Sequence, residues 1–268
     1  MNDLDRLIDE ALRTPFSGWD FSWLAGRIEE TRPPWNYGSE LSQALARADT
    51  ALDIDTGGGE VLARHRAGTG TIVATEGYPP NIDVAAATLR PFGVSVVGTG
   101  SAPDNIDQPG TTPDESGTNL PFRDETFDLV LDRHSSYWPT EVRRVLRPSG
   151  TFLTQQFGVG GDDVLRMFER PVSGGPAFDL AFAVAQLQDA GMDVIRAEEA
   201  TTPIAFLDVG AFVYFMRAVP WVLPALDVVE DRGGLEAVDA TVGRAGAFYL
   251  SGEHMLIVAS RSSPGGER

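Results

Sequence analysis

The hydrophobic pattern of the chain changes character near residue 50. Before that point apolar residues recur every three or four positions, as on amphipathic helices, and residues 1–48 are predicted to form a helical cap. After it, short apolar runs alternate with helical segments. The predicted strands are TALDID, TIVATEG, VSVVGTG, TFDLVLDRH, TFLTQQFG, MDVIRAEEA and HMLIVASR. Strands that alternate with helices in this way indicate an α/β fold with a parallel sheet covered on both faces.

The segments around these strands carry helical periodicity or turn signals. The predicted helices are DLDRLIDEALR, PFSGWDFSWLAGRIEE, SELSQALARA, GEVLARHRA, NIDVAAATLRPFG, PTEVRRVLRPSG, AFDLAFAVAQLQDAG and DVGAFVYFMRAVPW. A loop rich in Pro, Gly, Thr and Asp covers about 99–120. The last residues, 263–268, are predicted to form a flexible tail.

Composition narrows the class of protein. The chain has 268 residues and no cysteine, so disulfides and cysteine metal sites are excluded, and no metal site is predicted. All 21 basic residues are arginine, which excludes a Schiff-base lysine and a P-loop lysine. The formal net charge of −18 disfavours nucleic acid as a partner. Without a signal-peptide pattern or a long apolar run, a cytoplasmic protein with no membrane contact is expected.

The stretch ALDIDTGGGEVLARH contains a glycine loop between a predicted strand and a predicted helix. A dinucleotide fingerprint needs a third small residue after Gly57 and Gly59, but Leu62 stands there. The loop is also flanked by two carboxylates, Asp55 and Glu60, which would repel a diphosphate. The sequence therefore favours a ligand that carries a positive centre.

S-adenosylmethionine is such a ligand, because it carries a sulfonium and an ammonium group. The order D-x-x-x-G-x-G, from Asp53 to Gly59, resembles motif I of class I S-adenosylmethionine-dependent methyltransferases. The resemblance implies that the loop holds this cofactor through Asp53, Asp55, Thr56, Gly57 and Gly59. Asp55 occupies a position where the family usually has glycine, so its side chain either points away or reaches the cofactor's ammonium group.

The end of the second strand, in TIVATEG, offers a further carboxylate, Glu76, followed by Gly77. In this architecture a carboxylate at that position accepts hydrogen bonds from both ribose hydroxyls of an adenosine cofactor. Glu76 and Gly77 are therefore predicted to contact the cofactor. The position supports an adenosine ligand without distinguishing NAD from S-adenosylmethionine.

Residues 119–156 contain the most specific motif. They resemble the LPF-x-D-x-x-FD-x-V stretch and the following E-x-x-RVL-x-PGG of methyltransferase type 11, the ubiquinone-biosynthesis-like group, and the resemblance covers about 50–157. It implies a Rossmann-like, mostly parallel sheet of seven strands, the last antiparallel. It also implies that the residues before LPF wrap the adenine. These are Ser116 and Gly117 here, with Glu115 or Asp114 as alternatives.

Asp132, Arg133 and His134 follow the fourth strand of the motif region, which adjoins the first strand in such folds. Asp132 and Arg133 are predicted to contact the cofactor, and His134 to lie near the methyl group. A neutral imidazole there can remove a proton from a nucleophile near pH 7. The alternative is that His134 packs on the cofactor or hydrogen-bonds the loop.

Aromatic residues outside the motifs are candidates to wall a small acceptor and exclude water, although each also suits a hydrophobic core. The predicted substrate residues are Trp35, Tyr37, Tyr137, Trp138 and Tyr214. We expect one domain over 1–268, with a cofactor-binding half at 49–157 and a substrate-side half at 158–262.

The predicted function is transfer of a methyl group from S-adenosylmethionine to an oxygen or nitrogen atom of a small molecule, by in-line displacement. An RNA or protein methyltransferase and a protein that binds the cofactor without turnover are the alternatives. An NAD oxidoreductase is disfavoured by Leu62 and the two loop carboxylates. A monomer or homodimer is expected.

Overall fold

The computed structural model describes residues 3–16, 21–66, 68, 70–105, 108, 120–172 and 177–262. Its helices are α1 (Asp3–Arg13), α2 (Tyr37–Leu45), α3 (Glu60–His65), α4 (Pro79–Leu89), α5 (Pro139–Val145), α6 (Asp162–Met167), α7 (Leu180–Asp189), α8 (Val209–Ala218) and α9 (Arg232–Ala245). Its strands are β1 (Ile28–Glu30), β2 (Thr50–Ile54), β3 (Thr71–Glu76), β4 (Ser95–Gly98), β5 (Phe127–Arg133), β6 (Leu146–Gly160), β7 (Met192–Phe206) and β8 (Phe248–Arg261). In these ranges, every helix is too short or too polar to cross a membrane.

The strands form one sheet in the order β1-β7-β8-β6-β5-β2-β3-β4. β2 lies between β3 and β5 and runs parallel to both, β4 pairs in parallel with β3, and β6 pairs in parallel with β5. From β2 the chain adds β3 and β4 on one side of the sheet, and it then returns to add β5 and β6 on the other side. In open parallel sheets, ligands bind beyond the carboxyl ends of the strands at such a reversal. The carboxyl ends of β2 and β5 are therefore where a functional site is expected.

The strands beyond β5, which are β6, β8, β7 and β1, bear on the predicted number and direction of strands. The Phe157 ring of β6 contacts His254 of β8, and Arg261 donates to the carbonyl of Leu146, so the two strands run antiparallel as predicted. The prediction of seven strands is wrong, because β1 is an eighth. It pairs antiparallel with β7, with Ile28 opposite Phe206.

Three local predictions also differ from the structure. The predicted helix PFSGWDFSWLAGRIEE contains β1 instead, because three residues are too few to show the alternation of a strand. The predicted helix PTEVRRVLRPSG ends at Val145, and β6 follows, since Pro148 disfavours helical geometry at the residue before it. Helix α9 went unrecognised because three glycines interrupt its pattern, although Leu235 and Val238 are buried.

The chain divides into two compact units. The first comprises Met1–Pro33, Val159–Gly175 and Thr201–Glu253, and the second comprises Pro34–Gly158, Pro176–Ala200 and His254–Arg268. The core of the first unit contains, among others, Leu4, Ile8, Phe206, Phe212, Leu235 and Phe248. The core of the second is in two parts, because successive strand residues such as Phe152 and Leu153 enter different clusters. Both faces of the strands in that unit are therefore covered by hydrophobic side chains, as predicted.

Candidate functional site

The glycine loop of the second unit connects the end of β2 to the start of α3. Gly59 caps α3 with a φ of 81°, and a Cβ there would lie 2.7 Å from the Leu89 side chain. Glycine suits this position because it tolerates a positive φ and has no Cβ to clash with Leu89. Asp55 also has a positive φ, 45°, which is an unfavourable conformation for a residue with a side chain. The structure thus holds a carboxylate where the backbone geometry favours glycine.

The side chain of Asp55 faces the site and does not point away from it. Its Oδ2 accepts a hydrogen bond from the Ser135 hydroxyl at 2.8 Å, and its backbone N–H donates to Thr75 Oγ1 at 3.2 Å. Asp55 also lines a small cleft with a cavity volume of about 20 Å³. Tyr137 and Trp138 line the same cleft, so the loop carboxylate and two predicted substrate aromatics share one space.

Glu76, at the end of β3, ties the glycine loop to the next strand. Its Oε2 accepts the Gly57 N–H at 2.7 Å, and its Oε1 accepts the Tyr78 N–H at 2.8 Å. Burial raises the pKa of this carboxyl, the Tyr78 bond opposes the rise, and the nearby Asp55 adds to it. The next residue, Gly77, leaves no room for a side chain, because a Cβ there would lie 1.8 Å from Ser101 Oγ.

Asp53 and Asp132 are two buried carboxylates at the ends of β2 and β5. Asp53 Oδ2 accepts a hydrogen bond from Thr56 at 2.6 Å, yet burial raises the pKa of Asp53 to about 7, and Asp55 contributes to the rise. Asp132 Oδ1 accepts hydrogen bonds from Thr154 at 3.2 Å and from the Gln156 amide. Asp132 Oδ2 is buried and has no hydrogen-bond partner among the described residues. Burial, followed by Asp55 and Asp53, raises the pKa of Asp132 well above its usual value.

These four carboxylates, Asp53, Asp55, Glu76 and Asp132, form what we call the carboxylate edge. They repel one another, since Asp55 raises the pKa of the other three. Like charges held together in a buried place are stable only when protonated or paired with a cation. Among the residues that the structure describes, no group of His, Cys, Asp or Glu has the arrangement of a metal site. The Arg133 guanidinium is a cation near the edge, since it lowers the pKa of Asp53.

His134 follows β5 and is held by Gln155 of β6. Its backbone N–H donates to the Gln155 carbonyl at 2.9 Å, and its ring Nε2 lies 3.1 Å from the Gln155 side-chain amide. The φ of His134 is 63°, and its ring lies 4.1 Å from that of Phe157. Burial, then Arg133 and His254, lower the pKa of His134 well below its ordinary value. The imidazole is therefore neutral near pH 7.

The structure brings two other predicted aromatics, Trp35 and Tyr37, close to these groups. Trp35 is buried and donates its indole N–H to Gln155 at 2.9 Å. Tyr37 is also buried, and its pKa is raised by burial and then by Asp53 and Asp132. The Arg133 guanidinium lies 5.8 Å from the centre of the Tyr37 ring.

The other predicted site residues are Tyr214, Ser116 and Gly117. Tyr214 belongs to the core of the first unit, where its ring packs on Phe16 and Trp23. Ser116, Gly117 and the alternatives Asp114 and Glu115 lie outside the described residues, as does the tail at 263–268.

Sequence reasoning missed the polar residues that support the site: Thr75, Ser135, Thr154, Gln155 and Gln156. A signal was present in TFLTQQFG, where three consecutive polar residues follow Phe152 and Leu153 within a predicted strand. Because the carboxyl ends of parallel strands meet at one edge, Gln155 and Gln156 could have been placed beside Asp132 and His134.

The sequence matches no protein-family model, and no curated protein sequence matches it. Its fold, however, is shared by solved structures. A candidate methyltransferase from Bacillus halodurans aligns with a TM-score of 0.55 and 18% identity, over 84% of this chain and 99% of that chain. The YcgJ protein from Bacillus subtilis aligns with a TM-score of 0.52 and 18% identity, over 84% and 97%. A functionally unknown protein from Deinococcus radiodurans aligns at 0.52 and 16%, over 88% and 90%. The chain thus has the α/β Rossmann-like fold seen in methyltransferase structures.

Proposed function

We propose that this protein binds S-adenosylmethionine at the carboxylate edge and transfers its methyl group to a small molecule. One observation carries the proposal: three buried carboxylates at strand ends, one with an oxygen that has no partner among the described residues, lie with the loop carboxylate Asp55 at the reversal point of the sheet. An anionic dinucleotide would add to the repulsion, whereas a sulfonium and an ammonium group would relieve it. A positive group bound at the edge would lower the raised pKa of Asp132 and favour its charged form.

Each predicted cofactor residue has a place in this proposal. Asp53, Asp55 and Asp132, with Thr56 beside them, offer negative charge to the cationic end. Glu76 keeps acceptor sites for ribose hydroxyls, since a carboxylate has about four lone-pair sites and two are used by Gly57 and Tyr78. The further proposed contacts are Gly59, Gly77, Arg133 and, at the adenine, Ser116 and Gly117.

The cofactor supplies the reactive methyl group, and the chain's residues align the acceptor and exclude water. Trp35, Tyr37, Tyr137 and Trp138, all in the second unit, are proposed to do this. Tyr137 and Trp138 line the cleft beside Asp55, where an acceptor would meet the cofactor. The small-molecule class is supported by the strongly acidic net charge of −18, which opposes an RNA acceptor.

Binding of the cofactor without turnover is a second function that one observation favours. Asp55 places a carboxylate, anchored by Ser135, where glycine would leave the loop open. A side chain there reduces the room beside the loop. The two functions share a binding site and differ only in whether the methyl group is transferred.

Titration calorimetry with S-adenosylmethionine, its demethylated product and NAD tests the proposal. We expect S-adenosylmethionine to bind and NAD not to bind. Asp132→Asn should weaken the binding of S-adenosylmethionine, while Glu199→Gln, which removes one charge from an exposed position on β7, should not. Tighter binding of NAD than of S-adenosylmethionine would overturn the proposal. Binding without methyl transfer to any acceptor in a broad small-molecule panel would favour the second function.

A further inference from the structure

A chain of two hydrogen bonds connects Trp35, Gln155 and His134. The Trp35 indole N–H donates to Gln155 Oε1 at 2.9 Å, and the Gln155 amide nitrogen lies 3.1 Å from His134 Nε2. An indole nitrogen can only donate, so it fixes the carbonyl oxygen of the Gln155 side chain on its own side. The NH₂ group of Gln155 must then face His134, and Nε2 must accept. A neutral imidazole that accepts at Nε2 carries its proton on Nδ1.

We propose that Trp35 and Gln155 are positioning residues that hold His134 as a neutral hydrogen-bond donor, with its proton on Nδ1, and thereby exclude it as a general base. The lone pair that a base would use is already occupied by the Gln155 amide. The same glutamine also fixes the main chain of His134, whose N–H donates to the Gln155 carbonyl. This double hold accounts for a histidine kept at a φ of 63°, a conformation that persists only where its surroundings impose it.

The groups that face the ring also oppose its protonation. A proton on Nε2 would point at the NH₂ of Gln155, so that two donors would meet. Arg133 and His254 both lower the pKa of His134, and Phe157, which lies against the ring, is neutral. The charged neighbour that opposes protonation of the ring is thus Arg133, and His254 is a second imidazole whose own pKa is lowered by burial.

The proposal also limits the kind of acceptor molecule, and this step rests on the proposed function. In the described residues, no hydrogen bond uses His134 Nδ1, so its N–H is available to a ligand. An N–H donor selects a molecule that presents a carbonyl, carboxylate or hydroxyl oxygen at this point. It also favours a nucleophile that needs no deprotonation by the protein before transfer, such as a neutral amine or an ionised oxygen.

Nitrogen NMR of histidine side chains in ¹⁵N-labelled full-length protein tests the tautomer directly, without cofactor or acceptor. We expect His134 to appear as the Nδ1–H tautomer and to remain neutral from pH 9 to pH 5.5. His65, which lies beside Ser42 and makes no contact with Gln155, serves as an internal control. An Nε2–H tautomer in the wild type, or a His134 that titrates near pH 6.5, would overturn the proposal even if every variant failed to fold.

Two variants separate the roles of the positioning residues. Gln155→Glu replaces the amide by a group that accepts from both neighbours, so His134 should change to Nε2–H and its pKa should rise by about one unit or more, as beside any close carboxylate. Trp35→Phe removes the indole N–H that fixes the orientation of the Gln155 amide. The amide can then rotate, and His134 should show both tautomers. Unchanged His134 spectra in both folded variants would contradict the proposal. Because no cofactor is present, failure of the proposed function would not affect these results.

Discussion

Two neighbouring sets of polar groups, both at the carboxyl ends of the central strands, satisfy their hydrogen bonds in opposite ways. At the carboxylate edge, acids repel one another and Asp132 Oδ2 lacks a partner among the described residues. In the set formed by Trp35, Gln155 and His134, two hydrogen bonds link three neutral groups, and each bond has one donor and one acceptor. The first set holds mutually repelling acids, which a bound counter-charge would stabilise. The second set holds one ring in place through its own hydrogen bonds.

The largest expected effect concerns stability at the carboxylate edge. The pKa of Asp53 is about 7 in the folded protein, against about 4 for an unperturbed aspartate. An acid whose pKa is raised by folding stabilises the folded state while it is protonated, and this contribution is lost as the pH rises from about 4 to about 7. The free energy of unfolding should therefore fall by about 4 kcal/mol over this window, relative to Asp53→Asn.

Urea denaturation at pH 4.5, 6 and 8 measures this difference. Asn keeps an oxygen that accepts from Thr56, so the variant tests charge and not the loss of the hydrogen bond. If the free energy of unfolding of the wild type and of Asp53→Asn depends on pH in the same way, folding does not raise the pKa of Asp53. The contrast between the carboxylate edge and the neutral set would then not hold.

The next effect concerns Glu76. Glu76→Ala removes the acceptor of two loop N–H groups and of the proposed ribose hydroxyls, so S-adenosylmethionine should bind about 10–100-fold more weakly, the scale of charged hydrogen bonds. Glu76→Gln keeps the shape and one acceptor, and should lose less. Calorimetry on both variants, with circular dichroism to verify the fold, gives the comparison. Equal affinity in wild type and a folded Glu76→Ala would remove Glu76 from the site.

A smaller effect is expected at Asp55. Asparagine tolerates a positive φ about as well as aspartate, whereas glycine relieves it, so Asp55→Asn and Asp55→Gly separate charge from backbone geometry. If the carboxylate pairs with the ammonium group, both variants should lose about 1–2 kcal/mol of binding free energy. A gain of affinity in Asp55→Gly would show that the side chain obstructs the loop.

The sequence predicted the parallel sheet and the position of the glycine loop, because both follow from local apolar patterns. It placed Asp53, Glu76 and Asp132 at strand ends, where the structure has them. It did not predict the contacts of Asp55 with Ser135, 80 positions away, or of Trp35 with Gln155, 120 positions away. Such pairings depend on strand register, which periodicity does not reveal. For the same reason β1 escaped prediction, since its pairing with β7 and not its own three residues defines it.

The central claim is that buried carboxylates of the edge are partly protonated in the free protein and become charged when a cation binds. Calorimetric titration of S-adenosylmethionine near pH 7, in two buffers with different ionisation enthalpies, measures the protons exchanged on binding. We expect release of up to about one proton, because a bound cation would lower the pKa of Asp53 and Asp132. The demethylated product, which lacks the sulfonium charge, should release fewer. Binding with no proton release, or with proton uptake, would contradict the account.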